Sequence, residues 1–423
     1  MGKDEDNILQ LTEDISVAHT PLIFPSLNSP HILVIGGGVT GLVTSWLLLD
    51  HGYRVTMVSK EWASYGLGQR LTSQISGALW ELPPTECGGV SAVEQQLNEG
   101  DLKTVQEWAQ YSFKIYAKLA LNKEVARASG VKLRTCTSFQ TYRVSDDELK
   151  FRKMELARQI SPESFQQGLE LASKYGVDTN AFGGLKDAYE HLAPVIDTDT
   201  AMSFLMRLVR AKGAKFHTDT ILGNLIDQEA HILRMYQADA IVNATGMARE
   251  LASDKEVYPL RGGVLRVIND GTDFPKIDNS LIVAADKKDD GTYGERAFVV
   301  PRNDNILILG SIEQAHEWDL NLNINSPIVQ QMRVRCEEFL PVLKKARLDP
   351  RYPLAQGLRP YRSSRIRVER EGNASNGQQS RIVHCYGHGG AGWSLAFGSS
   401  RECIRLVEET IKRTKWRGLR ASI

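Results

Sequence analysis

The chain has 423 residues, 42% of them hydrophobic and 24% charged, with 51 basic residues against 51 acidic. That is globular material with room for two domains, and the zero balance excludes the basic footprint of a nucleic-acid binder. No stretch is apolar for long enough to span a bilayer. The five cysteines (Cys87, Cys136, Cys336, Cys385, Cys403) are widely spaced with no CxxC pair, which argues against zinc, dithiol chemistry or any metal site. A reduced, intracellular, cytoplasmic protein is the expectation. The acidic start has no signal-peptide core, Ala421-Ser422-Ile423 is not a Ser-Lys-Leu address, and the sequon at Asn373 carries no weight in such a compartment. Lys412, Arg413, Lys415 and Arg417 read as a solvated helix end.

In chain order, residues 1–30 are polar, with Pro21, Pro25 and Pro30, and read as an extended leader. The apolar run His31–Ile35 predicts a buried strand, 42–51 a helix closed by Gly52, and 54–58 a second strand: a βαβ unit. Residues 91–128 predict helix, with Val93, Leu97, Leu102, Val105, Trp108 and Tyr116 near helical spacing. The segment 146–175 is charged and mostly helical in pattern. A strand at 238–242 runs into Asn243-Ala244-Thr245-Gly246. Strands at 263–267, 281–285, 297–300 and 306–309 then predict an antiparallel sheet with one face open to a ligand. Ser326-Pro327 opens a helix with Val329, Met332, Cys336 and Phe339 on its apolar face. A last strand at 381–385 leads through a glycine-rich turn into a helix ending at about residue 412. No internal repeat is present.

Two glycine-rich turns carry the chemistry. The first is Gly36-Gly37-Gly38-Val39-Thr40-Gly41, a GxGxxG between strand and helix. Gly36 allows the turn, Gly38 lets backbone approach a pyrophosphate, and Gly41 lets helix and strand close up; the start of the helix offers its N–H groups to phosphate. A plain strand-to-helix turn is the competing explanation. The acid that usually ends the second strand is missing: Ser59, Lys60 and Glu61 stand there, so Glu61 or the Ser59 hydroxyl is left to meet a ribose. The second turn is His384-Cys385-Tyr386-Gly387-His388-Gly389-Gly390-Ala391-Gly392-Trp393, whose backbone N–H groups can support negative charge on a bound ring.

This second motif resembles the C-terminal signature of the D-amino acid oxidase family. Three further segments resemble that family in the right order: Thr72-Ser73-Gln74-Ile75-Ser76-Gly77-Ala78-Leu79-Trp80 its flavin-contacting loop, Pro259-Leu260-Arg261-Gly262-Gly263-Val264 the entry to its substrate domain, and Gly357-Leu358-Arg359-Pro360-Tyr361-Arg362 its substrate-carboxylate segment. The resemblance spans about 31 to 412 and is thin over the helical stretch between. It implies an α/β fold: a Rossmann-type FAD domain built from 31–90, 186–257 and 350–423, with a second, antiparallel-sheet substrate domain and helical insert from 91–185 and 258–349. It implies non-covalent FAD held by Gly36, Gly38, Val39, Thr40, Gly41, Ser59, Lys60, Thr72, Ser73, Gly77, Ala78, Leu79, Thr245, Gly246, Gly387, Gly389, Gly390, Ala391, Gly392 and Trp393.

The resemblance further implies that Arg359 grips a substrate carboxylate through its planar fork and that the Gly390 carbonyl receives the amino group. Alignment places Phe298 where the family uses a tyrosine hydroxyl, so Tyr293 from the preceding loop is the substitute, or that contact is missing. Leu79, Glu81, Phe298 and Trp393 are expected around the substrate. Glu81 there favours a polar or cationic side chain; a solvated glutamate is its plainer explanation. His388 is read as a turn residue rather than a base, and Arg362, Arg365 and Arg367 as surface or supporting charges.

The implied reaction is oxidation of an amino acid or related amine by hydride transfer to flavin, with dioxygen returning as peroxide. A secondary-amine oxidase of the glycine or sarcosine type, or a metabolite-tailoring flavin oxidase, stays open because of Phe298. A redox sensor that binds FAD without turnover is opposed by Arg359, and a nicotinamide dehydrogenase leaves the C-terminal turn unexplained. The expected partners are a small-molecule amine and dioxygen, with no nucleic acid or membrane; assembly into a homo-oligomer is left open.

Overall fold

In the computed structural model, residues 10–83, 98–284, 296–373 and 379–421 are described, with side chains in the last helix described to residue 413. The apolar run His31–Ile35 is a strand buried at all but its first residue. It lies inside a six-stranded sheet in the order Arg367–Arg370, Ile382–Tyr386, Ala240–Asn243, His31–Ile35, Arg54–Ser59, Lys215–Thr218. All pairings in it are parallel except the antiparallel edge formed by Arg367–Arg370. Strands this apolar need cover on both faces. One cover is the helix Val39–Asp50, itself buried at every position but Thr40. The C-terminal helix Gly392–Ala421 packs against it and against the helix Glu99–Leu121.

The second sheet has eight strands in the order Leu354–Arg362, Val257–Ile268, Ile306–Ala315, Ala297–Pro301, Ser280–Ala284, Val131–Gln140, Asp187–Ile196, Gln166–Gln167. Its pairings are antiparallel apart from Ser280–Ala284 against Val131–Gln140, which is parallel. The helix Pro327–Phe339 covers one face with Val329, Met332, Cys336 and Phe339 buried, the apolar face its spacing predicts. The fold is therefore a Rossmann-type α/β unit beside a largely antiparallel sheet.

Several elements sit differently from their sequence reading. Asp187–Ile196 and Leu354–Arg362, grouped by sequence with the nucleotide unit, are strands of the eight-stranded sheet. Glu99–Leu121, grouped with the substrate unit, packs both on the C-terminal helix and on the strands Val131–Gln140 and Asp187–Ile196; Ser112 Oγ accepts the backbone N–H groups of Phe397 and Gly398, each at 3.1 Å. Val93 and Leu97, expected on that helix, lie outside the described residues. From residue 10 the leader is tied down. Gln10–Thr12 pairs with Ile15–Ser16, and the buried Asp50 carboxylate accepts the N–H groups of Ser16 at 3.0 Å and Leu22 at 3.1 Å. Among the described residues no helix is long and apolar enough to cross a membrane.

Candidate active site

The strand His31–Ile35 ends at Gly36, whose φ of +123° is open only to glycine. A Cβ there would lie 2.3 Å from the Ala244 carbonyl oxygen. This lets the turn press against Asn243-Ala244-Thr245-Gly246 at the end of the neighbouring strand. The helix Val39–Asp50 starts at Gly38 with no side-chain cap and no acid in its first turn. Beyond Val39, its leading N–H groups are thus left for an external acceptor, the arrangement that binds phosphate. Val39 N–H donates to Ser73 Oγ at 3.1 Å.

These turns open into a cavity of about 870 Å³. Its wall joins Gly36, Gly38, Val39 and Thr40 to Ser59 and Lys60, to Thr72, Ser73, Gly77, Ala78 and Leu79, to Thr245 and Gly246, and to Gly387, Gly389, Gly390, Gly392 and Trp393. Two of the glycine-motif residues stay outside the lining. Gly41 faces its own turn, where a Cβ would meet the Gly36 carbonyl at 2.1 Å, and Ala391 is buried in the core. At the second-strand end, Ser59 Oγ donates to the Glu61 carbonyl at 2.6 Å, while the Glu61 carboxylate is solvent-exposed 3.9 Å from Lys60. The uncapped helix start, the glycine cradle and the long cavity running to the second turn together fit a flavin dinucleotide.

The loop from residue 72 is held from three sides. Thr72 Oγ1 donates to the Leu358 carbonyl at 3.0 Å, and Trp393 Nε1 donates to the Ser73 carbonyl at 2.8 Å. The buried Arg302 guanidinium donates to the Ser76 carbonyl and the Thr198 hydroxyl. Burial lowers the Arg302 pKa to about 10, so it stays a cation at neutral pH. Sequence gave no sign of Arg302: its role depends on partners 226 and 104 positions away.

The same cavity is lined by Arg359, Phe298, Leu79, Glu81 and Trp393, together with Gly262 and Pro360. Arg359 is half-buried, and its Nη1 donates to the Ile312 carbonyl at 3.3 Å. No carboxylate among the described residues pairs with it, in contrast to its neighbour Arg362, which binds Asp254 at 2.9 Å and also Glu256. Arg362 and Arg367 are thus partly buried, ion-paired cations, and Arg365 is exposed. Phe298 is 3% exposed and brings no hydrogen-bonding atom to the cavity. Tyr293, the candidate substitute hydroxyl, lies outside the described residues.

Glu81 departs from its plainer explanation. It is buried, not solvated, and its carboxylate meets the equally buried Lys153 ammonium at 2.7 Å. Lys153 comes from the helix Glu148–Ile160, 72 positions on, so no local signal announced it. His388 is a buried turn residue whose Nε2 lies 3.0 Å from Ser399 Oγ. That hydroxyl donates to the Leu395 carbonyl, which makes the histidine Nε2–H the donor and commits it to the fold.

The family model described as FAD dependent oxidoreductase matches residues 31–406. The chain is 29% identical over 380 residues to the D-amino-acid oxidase of Streptomyces coelicolor (strain ATCC BAA-471 / A3(2) / M145), covering 89% of this chain and 96% of that one. Among solved structures it is similar to glycine oxidase from Bacillus cereus ATCC 14579, with a TM-score of 0.63, 16% identity and coverage of 90% and 95%. It is also similar to iminodiacetate oxidase from Chelativorans sp. BNC1, with a TM-score of 0.63, 14% identity and coverage of 89% and 95%. At such identities the structural likeness is one of fold.

Proposed function

The chain belongs to the FAD-dependent oxidoreductase family of the D-amino acid oxidase type, and from that premise we propose that it carries out oxidative deamination of a D-amino acid or related amine, with dioxygen as acceptor and peroxide as product. One observation carries this reading: Gly36, Gly390 and Arg359, which pairs with no carboxylate among the described residues, line a single cavity. The division of labour is part of the proposal, with the six-stranded sheet serving FAD and the eight-stranded sheet serving the substrate.

Bound FAD supplies the two-electron acceptor for the substrate's Cα–H and returns those electrons to dioxygen. The protein's part is orientation. Arg359 presents two parallel N–H donors to the substrate carboxylate. The Gly390 carbonyl accepts an N–H of the substrate amine, which fixes the Cα–H between the two anchors. Phe298, Leu79 and Trp393 keep water from the reacting carbon. No side chain is assigned as base, in keeping with the engaged Nε2 of His388. FAD attachment is proposed to be non-covalent, and the protein cytoplasmic; none of the four described cysteines is in a disulfide, and all are buried.

Anaerobic mixing of the yellow holoprotein with D- and L-amino acids tests the reading. Bleaching by D-amino acids, with peroxide on admitting air, is expected, and Arg359→Ala should raise KM steeply for any carboxylate substrate. Bleaching solely by N-alkylated amines would transfer the assignment to a glycine- or sarcosine-type oxidase, the reading favoured by the hydroxyl-free Phe298. Bleaching by no amine in the panel would overturn both. Release of free flavin from acid-precipitated protein checks the attachment.

A further inference from the structure

The C-terminal turn has glycine at 387, 389, 390 and 392, and so much backbone freedom needs an external restraint if one carbonyl is to hold its direction. The structure places such a restraint under it. Gly390 N–H donates to the Tyr361 hydroxyl oxygen at 3.2 Å. Gly389, with φ +54°, sits against the hydroxyl end of the same ring: a Cβ there would come within 2.5 Å of Tyr361 Cζ and 2.7 Å of Cε1. The ring is itself fixed. Tyr361 is 3% exposed, packs with Leu260, and lies 5.9 Å from the Tyr258 ring, which stacks on His316 at 4.6 Å.

Tyr361 and Arg359 belong to one strand, Leu354–Arg362, in register with Tyr258 and Leu260 of Val257–Ile268. Two positions apart, they project from the same face. We propose that Tyr361 is a positioning residue: it clamps the Gly389–Gly390 peptide to the strand that carries Arg359, so that one rigid element sets both the carboxylate anchor and the amine-accepting turn. The amine-accepting part of this inference rests on the function proposed above; the clamp itself does not. The neighbouring ties, Ala391 N–H to the His388 carbonyl at 2.9 Å and His388 to Ser399, act within the turn and its helix. Tyr361 joins the turn to the other sheet.

Tyr361→Phe removes one oxygen and keeps the ring, so the holoprotein should fold and keep its FAD. Two measurements on it decide the proposal. Hydrogen exchange of the peptide spanning 386–393 should quicken at least threefold, because the Gly390 N–H loses its acceptor; unchanged exchange overturns the clamp whether or not the wild type oxidises amines. In anaerobic stopped-flow reduction with a D-amino acid that bleaches the wild type, the limiting rate should fall about tenfold or more, while the apparent Kd stays within twofold. An unchanged limiting rate, or a loss seen in Kd alone, overturns the link to the amine. A wild type bleached by no amine defeats the function proposed above and leaves the exchange measurement to decide the clamp.

Discussion

The guanidinium of Arg359 rests against Gly262 of the adjacent strand: a Cβ at residue 262 would lie 2.6 Å from the guanidinium carbon and 2.7 Å from Nη2. Leu260 is the cross-strand partner of Arg359 and Gly262 that of Gly357, so the side chain reaches diagonally across the sheet over a position with no side chain. Gly262→Ala would push the fork out of place without removing any charge. The expected outcome is a rise in KM of ten-fold or more for a carboxylate substrate, with kcat reduced less, since a shifted anchor weakens ground state and transition state together. Steady-state kinetics on Gly262→Ala beside Arg359→Ala checks this. An alanine variant with wild-type KM would show that the fork moves freely and that its seat is unimportant.

Phe298 is wedged between the two sides of the site. A Cβ at Gly77, on the cofactor loop, would stand 3.1 Å from its ring, and one at Gly310, on the next strand, 2.2 Å from Cζ. Gly310→Ala should therefore overpack the site and cost about 1–3 kcal/mol. Thermal melting of the single variants and of Gly310→Ala with Phe298→Leu forms a double-mutant cycle. Recovery of stability in the pair is expected; strictly additive losses would mean that the ring is not what the new methyl group strikes.

How far the sequence announced this site follows from how local each signal is. The turns at Gly36 and Gly390 were legible because glycine spacing, a preceding apolar strand and a following helix all fall within about ten residues. Arg359 was legible through its motif. Four strands of the eight-stranded sheet were not: the short Gln166–Gln167 fell in a segment read as mostly helical, and Val131–Gln140 carries lysine, arginine and threonines, and its pairing with Asp187–Ile196 lies in distant chain, so hydrophobic alternation was too weak to reveal it. Leu354–Arg362 was read as a motif rather than a strand. Arg302, Tyr361 and the ion pair of Glu81 share one cause of invisibility. Each depends on partners distant in the chain: the Ser76 carbonyl and Thr198 hydroxyl, the Gly390 N–H, and Lys153.

Asp50 and Lys212 form an ion pair at 2.6 Å with both side chains fully buried. The same carboxylate accepts the Trp46 indole N–H at 3.0 Å and the two leader N–H groups. Removing one partner of such a pair strands the other charge in a poor solvent, at a cost of about 3–5 kcal/mol. Asp50→Ala should lower Tm by several degrees and release the leader, so that protease cuts within residues 10–30 far faster than in the wild type. A variant with unchanged melting and an uncut leader would show that the carboxylate and its four donors are dispensable.

His384 links acidity to the cofactor turn. Its Nε2 lies 3.0 Å from Glu371 and its Nδ1 3.2 Å from Asn243 Nδ2. Asn243 Oδ1 accepts both the Thr245 N–H and hydroxyl, so the amide nitrogen faces the histidine and Nδ1 must be the unprotonated, accepting nitrogen. Burial lowers the His384 pKa below 6.5 against the opposing pull of Glu371, with Arg367 adding to the lowering. The Glu371 carboxyl is held down at about 2, chiefly by its hydrogen bond to His384. Buried His191 is likewise lowered to about 4. For all three the folded pKa is below the unfolded one. Their contribution to stability is thus complete above the unfolded values, near 6.5 for the histidines and 4.5 for Glu371, and drains away as pH falls. Protonating His384 would set N–H against N–H at Asn243, turn that amide and loosen Thr245 at the cavity wall. FAD affinity, followed by flavin fluorescence, should therefore weaken as pH falls below the ordinary histidine range, while His384→Gln should show a much flatter profile and His191→Gln the wild-type one. A pH-independent affinity in the wild type would break the connection between this histidine and the cofactor.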